Sequence, residues 1–167
     1  MSSTLRNPDE YQFPDCVTAC IAVAISAIEG VTNIEYRGIS SDDPSGTVGF
    51  DVTDWVAGEE EMAGHTAGLI PSEATHSVSI EYLNKDSDSA RGEELHRRIT
   101  REIRTMLYAD AELAVALGQL SRTGDNIIER MLRWKAIRQQ NGSNKINGAF
   151  VSMSATEFMF ITEMVPA

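Results

Sequence analysis

The sequence predicts an α+β fold: a single domain with a mainly antiparallel sheet, two principal helices packed on one face and a long acidic loop. Two segments alternate apolar and polar residues as strands do, and two others repeat apolar residues at helical spacing. The chain has 167 residues, 42% of them hydrophobic, which suits one compact domain. We expect residues 1–14 to form an extended arm and residues 15–167 to form the domain.

The first helix is predicted to begin near Asp15, which can cap its free N–H groups, and to end near Gly30. Its apolar positions recur with so little charge between them that we expect most of its circumference to be covered. Cys16 and Cys20 lie on this helix and are expected to be small buried residues, not metal ligands. Two cysteines this close on a helix make a disulfide framework unlikely and favour a reducing compartment.

A strand is predicted around residues 34–39, followed by a turn at 41–46 that is rich in turn-forming residues. Residues 47–56 alternate, which predicts a half-buried strand, and a second alternating strand begins near His76. We expect these two alternating strands to be antiparallel neighbours. Their inward-facing residues are Val48, Phe50 and Val52 on the first strand and Val78, Ile80 and Tyr82 on the second.

Residues 57–75, between the two alternating strands, are predicted to be a long acidic loop without a packed element. The segment is far longer than a hairpin needs, and it contains three glycines and the acidic run Glu59, Glu60 and Glu61. Leu69 and Ile70 form an apolar pair inside it. Two interpretations stay open for this pair: it anchors on a partner surface, or it folds back on its own domain.

A second long helix is predicted after residues 86–89, any of which can cap it. A continuous apolar stripe defines its buried face, and a basic row is expected to face solvent. The stripe comprises Leu95, Ile99, Ile103, Met106 and Leu107, and the basic row comprises Arg91, Arg97, Arg101 and Arg104. Asp110 is expected to cap a short third helix that carries Leu113 and Leu117 and ends at Gly118.

Residues 126–140 fit two interpretations. Ile127, Ile128, Met131, Leu132 and Trp134 can form a helix face, whereas the Asn-Gly dipeptides at 141–142 and 147–148 are hairpin signals that favour a preceding strand. The balance slightly favours a strand at the end of this segment. Residues 149–164 have strand character throughout, and residues 158–161 are apolar on both faces, which predicts a central strand.

The chemistry of a catalytic or metal site is missing from the sequence. His65, His76 and His96 have no spacing that gathers them around a metal, so we expect surface histidines. The acids of the loop lack the pattern of a calcium-binding loop and indicate a solvated acidic face. The chain has no phosphate-binding glycine motif and no nucleophile elbow. We therefore predict a protein that is not an enzyme, with no catalytic residues, no cofactor and no metal.

Charge is divided unevenly along the chain. Residues 1–84 carry fourteen acids and two arginines, whereas residues 85–167 carry twelve cations and eleven acids, and the whole chain has a net charge of −11. An acidic half and a cation-rich half can bring copies of one chain together, and the acidic surface repels nucleic acid and anionic membranes. No stretch is long and apolar enough to predict a membrane span. The charge pattern thus favours self-assembly.

The order of elements resembles that of the tail terminator, or tail-completion, proteins of tailed bacteriophages. It combines a strand at residues 76–83, an amphipathic helix that runs into Leu-Tyr-Ala-Asp-Ala-Glu-Leu at 107–113, and a closing strand at 157–163. The resemblance covers residues 15–164 and rests on pattern, without a catalytic signature. The acidic loop and an insert at 118–147 depart from the family.

This resemblance implies a virion protein that forms a homo-oligomeric ring, a hexamer in the family, at the top of a phage tail. Its partners would be the tail tube protein and the head–tail connector, and DNA would pass through the acidic lumen without sequence-specific binding. The expected interface residues are Glu59, Glu60, Glu61, Leu69, Ile70, Arg97, Arg101 and Arg104. The alternatives are another neck or baseplate component of a phage, or a small α+β ligand-binding or enzymatic dimer.

Overall fold

A computed structural model describes residues 13–55, 61–62, 72–124, 127–146 and 149–166, and it confirms the predicted single-domain α+β fold. The helices are α1 (Phe13–Ile25), α2 (Ser89–Ala109) and α3 (Ala111–Gly118). The strands are β1 (Asn33–Glu35), β2 (Thr47–Trp55), β3 (Glu61–Met62), β4 (Ser72–Asp86), β5 (Ser121–Gly124), β6 (Ile127–Ile146) and β7 (Ala149–Pro166).

The described strands form one sheet in the order β1-β2-β4-β7-β6-β5, with β3 paired to the start of β4. β1 pairs with β2 in parallel, and the other described pairs are antiparallel. The two alternating strands are neighbours as predicted, with Val48 opposite Tyr82 and Phe50 opposite Ile80. β7 lies between β4 and β6, which confirms that the last apolar segment is a central strand.

The three helices pack on one face of the sheet, which we call the helix face. Alternation puts Val78, Ile80 and Tyr82 of β4 on this face, and all three are buried. Their core partners come from every helix and from the neighbouring strands. They include Ile21, Ile25, Val48, Phe50, Ile99, Ile103, Leu113, Leu117, Phe158 and Phe160. The residues between them in each strand point to the opposite side, which we call the outer face.

α1 begins at Phe13, two residues earlier than predicted, and buries one side against the core. Seven of its thirteen residues are buried, and only Ala19 and Val23, the latter 74% exposed, are exposed, which agrees with the expectation that most of its circumference is covered. Cys16 and Cys20 are half-buried free thiols, and burial raises the pKa of both.

α2 begins after Asp88, whose carboxylate accepts hydrogen bonds from the N–H groups of Ala90 and Arg91. The predicted apolar stripe faces the sheet, with Ile99, Ile103 and Leu107 buried. Asp110 ends α2 and caps α3 by accepting from the N–H of Leu113 at 3.0 Å. The predicted caps and helices of this region are thus confirmed.

β6 is a strand over its whole length, and the helical interpretation of residues 126–140 is wrong. Two bulges interrupt its pairing with β7, between Met131 and Arg133 and between Ala136 and Arg138. The Asn-Gly dipeptide at 141–142 lies inside β6 and is paired with β7, so the hairpin signal there is also wrong. The dipeptide at 147–148 lies outside the described residues, between the paired ends of β6 and β7.

The predicted acidic loop is shorter than expected. β3 falls inside residues 57–75, and β4 begins at Ser72, four residues before the predicted start at His76. The rest of the loop lies outside the described residues. The predicted strand at 34–39 is reduced to β1, whereas the predicted turn at 41–46 is confirmed, with Gly46 at a φ of +87°.

The segment after β1 crosses the outer face at Gly49 of β2. A Cβ atom at Gly49 would lie 2.5 Å from the carbonyl oxygen of Arg37 and 2.8 Å from Cγ2 of Ile39. Glycine is therefore the residue that lets this segment lie against the strand.

We expect Gly49→Ala to lower the free energy of unfolding by about 1–3 kcal/mol, the usual cost of overpacking. Gly118→Ala is the matched control, because a Cβ atom at Gly118 meets nothing within 4 Å. Urea unfolding followed by circular dichroism measures both. Equal stability of the two variants would show that the segment does not lie against β2.

Candidate assembly surfaces

The two ends of the sheet carry opposite charge. β1 and β2 form one end and β5 and β6 form the other. Residues 33–55, which supply the first end, contain five acids and one arginine, a net charge of −4. Residues 121–146, which supply the second end, contain six cations and two acids, a net charge of +4. We call these the acidic end and the basic end.

The one arginine of the acidic end is already paired within the chain. Arg37 donates to both carboxylate oxygens of Asp43, at 2.6 and 3.0 Å, and lies 3.9 Å from Glu35. The hydrogen bonds from Arg37 and from the N–H of Ser40 lower the pKa of Asp43 to about 2. Arg37 is thus engaged by Asp43 and Glu35, and among the described contacts it balances neither Asp42 nor Asp51 of this end.

Asp51 and Glu81 lie close together on the outer face at the acidic end. A Cβ atom at Gly38 would be 3.2 Å from Oε1 of Glu81 and 3.5 Å from Oδ2 of Asp51, so both carboxylates flank this glycine. Burial raises the pKa of Glu81, the charge of Asp51 raises it further, and a hydrogen bond from the N–H of Ile39 lowers it. Burial, and after it the neighbouring charge of Asp51, thus oppose ionisation of Glu81.

The basic end presents exposed cations on β6. Arg130 donates to Glu163 of β7 at 2.9 Å. Arg133 and Lys135 are exposed, and within the described part of the chain neither forms an ion pair. Both lie on the outer face, because Trp134 between them packs against the core. This end therefore has positive charge available for a partner.

The predicted interface residues fall into two groups. Arg97, Arg101 and Arg104 are exposed on α2, on the side that faces away from the sheet, as expected for a solvent-facing row. They form a surface separate from the basic end. Of the loop residues, Glu61 is described only as part of β3. The other four, Glu59, Glu60, Leu69 and Ile70, lie outside the described residues.

The expectation of surface histidines is wrong for His76 and His96. His76 is 2% exposed, with its Nε2 3.2 Å from Oγ1 of Thr162 and 3.7 Å from Oε1 of Glu129. It shares the helix face with its neighbours on β4 and stacks on Phe160, with ring centroids 5.0 Å apart. His65 lies outside the described residues. The described histidines are thus core residues.

His96 is a buried core residue that packs beside an aromatic ring. It is 5% exposed, and its ring centroid is 5.3 Å from that of Tyr82. Among the described residues, neither of its ring nitrogens has a hydrogen-bond partner. Burial lowers the pKa of His96 to about 4, because the charged imidazolium would lose its hydration there.

Sites of other kinds find little support in the described ranges. They contain no group of three or more His, Cys, Asp or Glu side chains that could hold a metal ion. An open groove of about 420 Å³ lies at the end of α2, lined by Arg101, Glu102, Thr105, Met106, Ala109 and Asp110. Of the helices described, none combines the length and apolar character that a membrane crossing requires.

No protein-family model and no curated protein matches the chain. Among solved structures, the chain is similar to one described as the virion of a native gene transfer agent particle. The identity is 12% and the TM-score is 0.44, with 89% of this chain and 93% of that chain covered. A likeness at this level is too weak to carry an argument about function.

Proposed function

We propose that this protein is a structural virion subunit, a phage tail terminator, that forms a homo-oligomeric ring through contacts between unlike ends of its sheet. The observation that carries the proposal is the separation of charge between the acidic end and the basic end. Two acidic ends would repel each other, as would two basic ends, whereas the acidic end of one copy attracts the basic end of another. Copies therefore associate head to tail. A head-to-tail contact is heterologous, and it generates a closed ring when the rotation between subunits closes.

The position in a tail terminator ring is supported by the order of elements. The strand at 76–83, the helix that runs into 107–113 and the closing strand at 157–163 correspond to β4, α2 and β7. In this role the ring, a hexamer, would cap the tail tube and meet the head–tail connector. A net charge of −11 per subunit suits a lumen through which DNA slides, because an acidic wall does not hold phosphate groups.

We expect the purified protein to be oligomeric at low salt and to dissociate as ionic strength rises, since salt screens charges that are not buried. Size-exclusion chromatography with light scattering measures the mass, and negative-stain electron microscopy shows whether the particles are annular. A monomer at high protein concentration and low salt would contradict the proposal. A dimer that is insensitive to salt would favour the small ligand-binding or enzymatic protein instead.

A further inference from the structure

Among the described residues, two strands have a stretch of edge that no further strand covers. β6 pairs with β5 only over Ile127–Arg130, and from residue 132 to residue 146 its described neighbour is β7 alone. β2 pairs with β1 only over Thr47–Gly49, and from residue 50 to residue 55 its described neighbour is β4 alone. Open edges present unpaired N–H and C=O groups that can accept another strand.

Both edges carry features that restrict which strand they accept. The edge of β6 has two bulges and exposed cations, including Arg133 and Lys135. The edge of β2 has Asp51 and a bulge between Val52 and Asp54. Like charges placed opposite each other destabilise a strand pair. Two β6 edges would therefore repel, as would two β2 edges, whereas β6 and β2 complement each other.

The direction of the strands allows this pairing. Three antiparallel pairings separate β2 from β6 in the sheet, so the two strands run in opposite directions. A second copy placed beside the first in the same orientation would bring its β2 antiparallel to the β6 of the first. The sheet would then continue from one copy to the next in the more stable ladder pattern.

The register puts opposite charges at the same level of the two edges. One row across the sheet runs from Asp54 through Ser77 and Met159 to Lys135. The row at Asp51 runs through Ser79 and Glu157 to Arg138. If a second copy is added without a shift along the strands, Asp54 and Asp51 of one copy lie level with Lys135 and Arg138 of the other.

We propose that copies of this chain join by strand addition, with residues 134–139 of β6 in one copy pairing with residues 50–55 of β2 in the next. The inference rests on the proposed self-assembly and names the surface that performs it. The occupant of each edge is a second copy of the same chain, because the complementary charge and direction are both supplied by the chain itself.

Charge reversal tests the pairing. The variant Lys135→Glu/Arg138→Glu makes the β6 edge acidic, and Asp51→Lys/Asp54→Lys makes the β2 edge basic; each is expected to weaken association at least tenfold in dissociation constant. The four substitutions in one chain restore unlike charges in both rows and are expected to recover assembly. Arg91→Glu/Arg98→Glu, at exposed positions of α2 outside the expected interface residues, is the control for a change of equal net charge. Circular dichroism checks that each variant is folded.

Hydrogen exchange of the wild-type protein supplies the backbone evidence. Amides of residues 134–139 and 50–55 are expected to gain protection in the oligomer relative to the salt-dissociated subunit, whereas residues 111–118 of α3 are not. If the protein assembles but protection appears elsewhere, or if the variant with all four substitutions remains dissociated, strand addition is wrong while the proposed function stands. If the wild-type protein never assembles, the proposed function fails first.

Discussion

Phe160→Ala is expected to lower the free energy of unfolding by about 3–5 kcal/mol, the cost of removing a fully buried aromatic side chain. Phe160 lies on the central strand β7 and has 0% exposure. Its ring packs against Phe13 of α1 at 6.3 Å and against Phe158 at 6.1 Å between centroids. One side chain thus connects the sheet to the first helix.

Met159→Ala is the matched control for Phe160, because Met159 is the preceding residue of β7 and points to the outer face, where it is only half-buried. We expect it to cost about 1 kcal/mol. Guanidinium unfolding at low protein concentration and high salt measures both variants without a contribution from assembly. Equal losses at the two positions would contradict the assignment of the helix face.

His96 should make the protein less stable as the pH falls from 6.5 to 4. The ordinary pKa of histidine is near 6.5, whereas burial lowers the pKa of His96 to about 4. Between these values the unfolded chain binds a proton that the folded chain excludes, so stability declines by about 3 kcal/mol over this range from this residue alone. Above pH 6.5 both states are neutral at His96, and the effect is absent.

The variant His96→Phe isolates this contribution, because phenylalanine keeps an aromatic ring beside Tyr82 but cannot bind a proton. Urea unfolding at a series of pH values should show a pH dependence about 3 kcal/mol smaller than that of the wild-type protein over the same interval. Arg97→Gln, an exposed change one residue along α2, should keep the full dependence. An unchanged slope in His96→Phe would show that His96 does not stay neutral in the folded protein.

The helices and the alternating strands could be predicted from the sequence because their periods are regular. β6 could not, and its bulges explain why. Met131 and Trp134 both face the core, but the bulge between Met131 and Arg133 separates them by three residues, the spacing of a helix. A bulge inserts one residue and breaks the period of two on which strand recognition depends.

The burial of His76 and His96 could have been predicted from their positions in the apolar pattern of the sequence. His76 shares the even-numbered positions of β4 with Val78 and Ile80, and His96 lies three residues before Ile99 in the stripe of α2. Position therefore placed both rings in the core, whereas the polarity of histidine suggested the surface. Periodicity was the better guide, because an imidazole ring can pack as an aromatic side chain, as His76 does against Phe160 and His96 beside Tyr82.

The sequence predicted the charge that forms the candidate assembly surface but not the arrangement of that charge in space. The unequal distribution of charge between the two halves of the chain is plain in the residues themselves. Its arrangement in space depends on the order of strands, which places β1 and β2 at one end of the sheet and β5 and β6 at the other. Had β6 paired with β2, the same residues would have neutralised each other within one molecule.

The bulged and charged edge of β6 also has a consequence for preparing the protein. Its cations repel each other and so oppose non-specific pairing between the edge strands of two copies. Such pairing is a common first step of aggregation in proteins with exposed edge strands. Concentrated salt screens the repulsion between these cations but does not cover the unpaired N–H and C=O groups of the strand edge. In purification buffers of high ionic strength, we therefore expect the protein to separate into subunits at first and to precipitate on storage. In buffers of low ionic strength, we expect the assembled oligomer to persist.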